Sequence, residues 1–388
     1  MLRLRFLLPL AAILSSQAPF ALAQEPARPR AAATEADAVR RAITLMDRGL
    51  FDQAREALEP LVEARDPDAT YVLGYIHARG LGTPADETTA RRLFVAAAMD
   101  GQPDAQFALG ELAYTGQGVR RDRGRAYEWY DLAAAKDHPK ALYMLGVMHA
   151  EGQAVPQDLT RAADLYRRAA RAGSTRALHQ LGVLSLEGRG VAQSYEDAAR
   201  WFERAALKGD TESQYNLALL HDSGRLPGAP DLAEGVRWMR QAAASDMPQA
   251  QIAMGLLSLR GRGTERSEEA ARDWFRQAAE TGDAEGLFLY AAALGEGLGG
   301  PPDLPEALRF AEQALRASAG EPIEVIEERR ALRDELRRVA TRAVTAPSLS
   351  AQSPPAPLPP AARTPSLGTP QQQPTEATLP PKRRGGLR

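Results

Sequence analysis

Three of the five histidines recur at a fixed spacing, a pattern that could indicate a metal site. His77, His149 and His221 follow one another at intervals of 72 residues. Imidazole nitrogens are common zinc ligands and lie about 2 Å from the metal. The three side chains could share a metal only if the fold brings them together. The elements that carry them therefore decide the question.

Residue types that many other catalytic sites need are missing from the sequence. The chain has no cysteine, which excludes disulfides, thiolate metal sites, cysteine nucleophiles and a lipid-anchored cysteine. It contains no Ser-x-x-Lys, His-Glu-x-x-His, phosphate-loop or Gly-x-Ser-x-Gly motif. The Gly-x-Gly sequences at residues 116–118 and 188–190 are predicted to be turns between helices rather than phosphate-binding loops.

The composition is that of a globular protein longer than one typical domain. The chain has 388 residues, of which 44% are hydrophobic and 25% are charged. Its 48 Lys and Arg residues against 50 Asp and Glu residues give a formal net charge of −2. A nucleic-acid-binding protein usually carries a basic surplus. The sequence therefore predicts no nucleic-acid partner.

Residues 1–23 have the features of a cleavable signal peptide. Arg3 and Arg5 precede a short apolar run, and an Ala-x-Ala pattern ends at Ala23. We expect cleavage after Ala23 and a linker over residues 24–36. An uncleaved anchor is the alternative, but the apolar run is too short to span a bilayer. Export without cysteine predicts a periplasmic or secreted protein with no transmembrane segment after cleavage.

The chain from about residue 67 onward is an internal repeat with a period of 36 residues. A glycine or alanine marks each copy and is here called position 0: Gly74, Gly110, Gly146, Gly182, Ala218, Gly255 and Ala291. A second glycine follows at position +6, and an alanine pair closes most copies. Seven copies in register predict a repeat architecture.

Each copy is predicted to be a pair of short helices. Prolines such as Pro67 and Pro103 suit the first turn of the first helix, and the glycine at position +6 ends it. Good N-cap residues precede the second helix: Asp86, Asp122, Asp158, Ser194, Asp231, Ser267 and Asp303. One such pair cannot bury its apolar face alone, so neighbouring pairs must stack.

Stacking would separate the regularly spaced histidines. Because packed helices lie 8–10 Å apart, histidines two copies apart would be about 20 Å apart. We therefore expect His77, His149 and His221 to be flat spacers between helices, and we predict no metal site and no cofactor.

The repeat resembles that of the Sel1-like repeat family, a relative of the tetratricopeptide repeat. Residues 105–134 read A-x-x-x-L-G-x-L-x-x-x-G-x-G-V-x-x-D-x-x-x-A-x-x-W-Y-x-x-A-A. The resemblance covers seven copies over residues 67–320 and implies an all-α, right-handed α-solenoid of stacked helix pairs. Residues 37–66 resemble a tetratricopeptide-like N-terminal helical pair. Residues 321–345 are predicted to form a C-terminal capping helix.

The capping helix is expected to cover the last copy with one apolar side. Ile323, Leu332 and Leu336 would lie on that side, whereas the alternating charges of residues 327–330 would face solvent.

Residues 346–388 are predicted to be a disordered, Pro-rich tail. They hold 11 of the 28 prolines and no aromatic residue, so they cannot bury enough apolar area to offset chain entropy. The stretch Ser353–Pro360 could bind a proline-recognising domain or act as a spacer. The basic end of the tail could make weak contact with anionic lipid or cell wall.

The four tryptophans share one position of the repeat: Trp129, Trp201, Trp238 and Trp274. We expect each to fill the groove between the helices of its own copy and the next copy.

The first helix of each copy has an unexpectedly apolar outer side. At 100° per residue, positions −5, −1, +2 and +3 fall on a core arc, whereas positions −3, +1 and +4 fall opposite it. Position −3 is nevertheless mostly aromatic or apolar: Tyr71, Phe107, Tyr143, His179, Tyr215, Ile252 and Phe288. Position +1 adds further apolar side chains: Tyr75, Val147, Val183, Leu219 and Leu256.

The resemblance implies that this ladder lines the inner surface, because first helices line the concave face in tetratricopeptide repeats. Contiguous apolar surface often marks a binding site. We therefore predict partner contact at the ladder and at the residues along its edges: Glu111, Tyr114, Glu151, Glu187 and Asp222. The alternative is that position −3 merely packs against the neighbouring first helix.

Three functions are compatible with this sequence. The first is an exported scaffold or adaptor that binds a protein or peptide partner in the cell envelope and catalyses no reaction. The second, implied by the family resemblance, is a periplasmic regulator of a sensor kinase or polysaccharide-export complex. The third is a β-lactamase-like hydrolase, as described for cysteine-rich relatives. The missing cysteines and catalytic motifs argue against the third.

Overall fold

The computed structural model describes residues 30–345, and all the regular elements in that range are α-helices. These residues form two compact bodies that divide between Arg121 and Asp122. The all-α prediction is confirmed. The predicted signal peptide and Pro-rich tail lie outside the described residues, so both stay predictions.

The N-terminal body contains five helices: α1 (Arg30–Asp47), α2 (Phe51–Glu63), α3 (Pro67–Arg79), α4 (Glu87–Met99) and α5 (Pro103–Thr115). The C-terminal body contains twelve: α6 (Arg123–Ala134), α7 (Pro139–Glu151), α8 (Leu159–Arg171), α9 (Thr175–Glu187), α10 (Tyr195–Ala206), α11 (Thr211–Ser223), α12 (Leu232–Ala244), α13 (Pro248–Arg260), α14 (Glu268–Glu280), α15 (Ala284–Glu296), α16 (Leu304–Ala317) and α17 (Ile323–Thr345). Helix α1 begins at Arg30, within the stretch expected to be a linker.

Capping residues set the helix ends, as the sequence predicts. All seven residues predicted to cap the second helices accept a backbone N–H three residues ahead, as Asp86 does from Thr89 at 2.9 Å. The seven glycines at position +6 adopt φ angles of 63–80° at the ends of the first helices. Only glycine occupies this left-handed region at little cost.

A close contact between a glycine and an aromatic ring joins the two helices of several copies. A Cβ atom on Gly182 of α9 would lie 2.5 Å from ring carbons of Phe202 in α10. Gly74, Gly146 and Gly255 face Phe94, Tyr166 and Phe275 in the same way. Two copies carry alanine at position 0, and the residue in the register of the ring is then Met239 or Ala311, each in the same apolar cluster as its alanine.

The ring that fills the groove is therefore the residue after the tryptophan position. Phe202, Tyr130 and Tyr166 are at most 2% exposed, whereas Trp129, Trp201 and Trp274 are only half-buried. The expectation that all four tryptophans fill the groove is wrong for those three. Trp238 is buried, and its indole N–H donates to Glu234 at 2.8 Å.

Side-chain amides tie some copies to the copy before. Gln214 of α11 donates to the backbone oxygen of Ala206 in α10 at 3.2 Å. Gln251 and Gln106 make the equivalent bond to Ala243 and Ala98, both at 3.1 Å. Each amide adds a second donor to a carbonyl near the C-terminal end of a helix, which also accepts a backbone N–H from the following turn.

Helix α17 packs against α15 and α16, as a capping helix should. Leu336 is fully buried in the same apolar cluster as α15 residues. Two details differ from expectation. Ile323 is 56% exposed. Arg329, expected to face solvent, is buried and donates to Glu321 at 2.8 Å and to Glu285 at 3.0 Å. These two carboxylates offset the cost of removing the charged guanidinium from water.

The burial difference at neighbouring positions of α10 gives a first test. Phe202→Ala should lower the free energy of unfolding by about 3–5 kcal/mol, because it opens a cavity in the core. Trp201→Ala should cost less than half as much, because part of that ring is already in water. Urea denaturation measures both. Hydrogen exchange should place the loss of protection in copies next to α10, since repeat contacts are between neighbours. Equal losses for the two variants would contradict this assignment.

Candidate functional site

The predicted ladder runs along the first helices of the C-terminal body and is only partly exposed. Tyr143, His179, Tyr215 and Ile252 at position −3 are all half-buried. At position +1, Val147, Val183 and Leu219 are half-buried as well. A continuous series of apolar side chains on α7, α9, α11 and α13 therefore keeps some surface in contact with solvent.

The ladder ends differently near the C-terminus. Phe288 is 7% exposed and Leu256 is 5% exposed, and both belong to the apolar cluster that contains Leu336 of α17. The sequence prediction included these two residues among the partner contacts. Their burial leaves almost no surface for a partner.

Rings at position −3 rest on the buried ring of the second helix in the same copy. Tyr143 lies 5.7 Å from Tyr166 between ring centroids, and His179 lies 5.6 Å from Phe202. Position −3 therefore packs on its own copy's core, while the remaining part of each ring faces outward. The packing fixes the orientation of the exposed part.

In the N-terminal body, the corresponding side chains are more fully engaged. Tyr71 packs on Phe94 at 5.7 Å, and burial raises the pKa of its hydroxyl. The guanidinium groups of Arg79 and Arg121 lie 5.8 Å from the ring centres of Tyr75 and Tyr114. Phe107 and Glu111 are half-buried on α5.

A polar cluster occupies the centre of the C-terminal ladder. The His179 Nδ1 atom lies 2.9 Å from the Ser213 hydroxyl and 3.3 Å from a carboxylate oxygen of Asp210. Its Nε2 atom lies 3.5 Å from a carboxylate oxygen of Glu212. Asp210 is also the N-cap of α11 and accepts the backbone N–H of Ser213 at 2.9 Å. The cluster therefore joins α9 to the start of α11.

This cluster is not arranged as a nucleophilic triad. A serine–histidine–aspartate triad uses one imidazole nitrogen for the hydroxyl and the other for the carboxylate. Here Nδ1 faces both Ser213 and Asp210, and Ser213 is fully buried. The geometry supports a contact between copies rather than acyl transfer.

The cluster also gives Tyr143 a negative environment. Burial raises the pKa of the Tyr143 hydroxyl, Arg176 lowers it, and Glu151, Glu212 and Asp210 raise it further. Burial likewise raises the pKa of Tyr215. Both phenols therefore stay neutral at physiological pH and can donate a hydrogen bond to a partner.

Two of the acidic residues at the edge are paired within the chain. Glu187 lies 3.1 Å from Arg189, and Asp222 lies 2.7 Å from Arg262. Glu151 is exposed at the end of α7 and contacts the side-chain amide of Gln153.

The regularly spaced histidines do not converge on a metal. His149 lies 3.4 Å from the hydroxyl of Tyr127 in the preceding copy, and burial lowers the pKa of its imidazole. Within residues 30–345, no group of three or more His, Asp or Glu side chains is placed to hold a metal ion.

The sequence prediction missed Asp210, Glu212 and Ser213 as part of this face. One signal pointed to the cluster, since His179 alone interrupts the aromatic series at position −3 between Tyr143 and Tyr215.

Comparison with known proteins identifies the repeat. The profile of the Sel1 repeat matches six consecutive segments: 103–138, 139–174, 175–210, 211–247, 248–283 and 284–318. A tetratricopeptide repeat profile matches residues 39–87. The Sel1 matches cover more than half of the chain, and the chain belongs to the Sel1 repeat family. Repeats of this family typically mediate protein–protein interaction, and proteins built from them are generally non-catalytic scaffolds.

Two solved structures share the fold. A protective antigen of uropathogenic Escherichia coli strains is 27% identical, with a TM-score of 0.65, over 75% of this chain and 66% of that one. A Sel1 repeat protein from Oxalobacter formigenes is 28% identical, with a TM-score of 0.60, over 79% of this chain and 87% of that one.

One relative by sequence is an uncharacterized protein of Neisseria meningitidis serogroup B, 35% identical over 94 residues. That match spans 24% of this chain and 20% of the relative. Within residues 30–345, the helices include none that is both long and apolar enough to cross a membrane.

The pKa of Asp210 predicts how the cluster responds to acid. Burial alone would raise this pKa, but hydrogen bonds from His179 and Ser213 outweigh burial and hold it below the ordinary value of 3.8. A carboxyl group with a lowered folded pKa stabilises the fold above its unfolded pKa, and that stabilisation disappears as pH falls through the folded value.

Wild type should therefore be more stable than Asp210→Asn from pH 7 to about pH 5, and the difference should shrink below about pH 4. Asparagine keeps the N-cap acceptor, so the change removes mainly the charge. Urea denaturation across this pH range measures the difference, with exposed Asp131→Asn of α6 as control. A constant difference down to pH 2.5 would contradict the assignment.

Proposed function

We propose that this Sel1 repeat protein is an exported, periplasmic scaffold that binds a protein or peptide partner of the cell envelope and catalyses no reaction. The half-exposed ladder on α7, α9 and α11 supports this proposal most strongly. Its side chains are apolar or aromatic, they follow one another on adjacent first helices, and they keep surface available to a partner. Export rests on the signal-peptide pattern of residues 1–23.

The rings of the ladder are suited to binding because the core already fixes them. Tyr143 and His179 lie against Tyr166 and Phe202, so little side-chain freedom remains to be lost on association. Tyrosine is enriched among the residues that dominate binding energy at protein interfaces. A neutral, half-buried phenol offers a partner both apolar contact and a hydrogen-bond donor.

The proposed contact surface excludes the buried end of the ladder. Phe288 and Leu256 belong to the buried apolar cluster that also contains Leu336, so the partner would contact the copies that contain α7, α9, α11 and the exposed part of α13. Glu151, Glu187 and Asp222 lie at the C-terminal ends of three of these helices and would form the polar rim.

A regulator of a sensor kinase or polysaccharide-export complex is the second candidate, because it would use the same exported repeat and the same face. It differs from an assembly scaffold only in the partner that it holds. A photo-crosslinking amino acid at Tyr215, with Leu207 at the C-terminal end of α10 as the control position, identifies that partner. The crosslinked protein should be recovered from Tyr215 and not from Leu207.

Removing two rings of the ladder should weaken partner binding. Tyr143→Ala with Tyr215→Ala should reduce affinity for the purified partner at least tenfold, about 1.4 kcal/mol. Calorimetry measures the affinity, and circular dichroism verifies that the helices are intact.

The matched control removes exposed apolar side chains from second helices. Leu132 is 49% exposed and Leu207 is 70% exposed, and Leu132→Ala with Leu207→Ala should leave the affinity unchanged. If the tyrosine pair lowers stability but preserves affinity, the ladder is only packing and the partner binds elsewhere.

Export gives a separate test. The periplasmic form should begin at Gln24, because the Ala-x-Ala pattern places the cleavage site after Ala23. Mass spectrometry of the protein from a periplasmic fraction measures this. Ala23→Lys should block processing, since signal peptidase needs a small residue there. A full-length chain in the cytoplasmic fraction would contradict export while leaving the binding proposal standing.

A further inference from the structure

The ladder combines apolar surface with carboxylates that no Lys or Arg among the described residues is seen to pair. The inner patch is here defined as Tyr143, Val147, Val183, Tyr215 and Leu219, all half-buried on α7, α9 and α11. The side chain of Glu212 is 73% exposed and lies against the imidazole of His179. Asp210 faces the same imidazole, and Glu151 contacts an uncharged amide.

Three of the basic side chains that follow these helices are engaged elsewhere. Arg189 pairs with Glu187, and Arg262 pairs with Asp222. Arg225 lies over the ring of Tyr195, in the second helix of the preceding copy, at 5.1 Å. Arg176 acts on Tyr143 from α9 and opposes three carboxylates, Glu151, Asp210 and Glu212. The patch therefore has a negative rim, and it fits an occupant with both cations and apolar side chains.

The chain itself contains a segment of that chemistry outside the described residues. Residues 379–388 read Leu-Pro-Pro-Lys-Arg-Arg-Gly-Gly-Leu-Arg. They carry four basic side chains, two leucines and no acidic residue. The leucines match the apolar patch and the basic side chains match its rim, including cation–π contact with the tyrosine rings.

We propose that the inner patch binds the basic segment Leu379–Arg388 of the same chain. The connecting chain is long enough. The 37 residues from Thr345 to Lys382 can extend to about 120 Å. The patch extends back to α7, four first-helix spacings of about 10 Å from α15, and α17 adds a length of about 35 Å, so the distance to cover is about 80 Å.

This inference rests on the proposed function, because it names an occupant for the same face. A tethered segment acts at an effective concentration on the order of a millimolar. It would therefore compete with any external partner, and a partner would have to displace it. The patch would be self-occupied when no partner is present.

A labelled peptide of residues 379–388 provides the direct test. Full-length protein with the triple change Lys382→Gln, Arg383→Gln and Arg384→Gln should bind this peptide about tenfold more tightly than wild type, because its own segment no longer competes. Fluorescence anisotropy measures the affinity. Binding should also weaken steeply with added salt.

A second set of variants tests whether the peptide binds at the inner patch. Adding Glu151→Gln and Glu212→Gln to the triple variant should lower the affinity for the peptide at least fivefold. Glu128→Gln with Glu280→Gln removes the same charge from exposed positions on second helices and should leave it unchanged. Equal peptide affinity for wild type and the triple variant would overturn the proposal, as would an equal effect of the two glutamate pairs.

The absence of cysteine allows a second measurement on the full chain. Nitroxides at Gly386→Cys and Gln180→Cys should show a short, narrow distance distribution, which broadens in the Glu151→Gln and Glu212→Gln variant. A broad distribution in both, or one that orders only on anionic vesicles, would overturn the proposal.

The scaffold surface and the self-occupied patch can be disproved independently of each other. If Tyr143→Ala with Tyr215→Ala weakens partner binding but the peptide does not bind, only the self-occupied patch is wrong. If the peptide binds as expected but the tyrosine pair leaves partner affinity unchanged, only the scaffold surface is wrong.

Discussion

The contact between a glycine of the first helix and a ring of the second helix sets how closely the two helices of a copy approach. At Gly182 a single Cβ atom would collide with Phe202. Where position 0 is alanine, the opposing residue is Met239 or Ala311 instead of a ring. Position 0 and the opposing residue of the second helix therefore fill one volume between the helices. A close-packed interior tolerates little additional side-chain volume there.

The outer face of the first helix depends on the same contact. The ring that lies on the glycine also supports the side chain at position −3, as Phe202 supports His179. This support holds the ladder half-buried and oriented, so its exposed part is a rigid surface. Helix α17 closes the end of the array through Leu336 and leaves Phe288 buried. Within the C-terminal body, the exposed part of the ladder is therefore confined to the earlier copies.

Local signals made the helices predictable from the sequence. The packing contacts between helices could not be predicted in this way. N-caps such as Asp86 and the glycines at position +6 act within a few residues, so the sequence alone locates them. The choice between Trp201 and Phe202 as the buried ring depends on the angle at which two helices pack. The prediction that Arg329 faces solvent was wrong because its partners Glu285 and Glu321 lie outside α17. The cluster at His179 was missed for the same reason, since Asp210 and Glu212 come from the next first helix.

The central claim is that the glycine and the ring share one volume, and a double-mutant cycle on Gly182 and Phe202 tests it most directly. Gly182→Ala alone should destabilise the fold by about 1–3 kcal/mol through overpacking, although alanine is the better helix former. In a Phe202→Met background the same change should cost nothing or stabilise, as the natural pair Ala218 and Met239 indicates. The coupling energy should then be at least about 1 kcal/mol. Additive effects of the two changes would contradict the account.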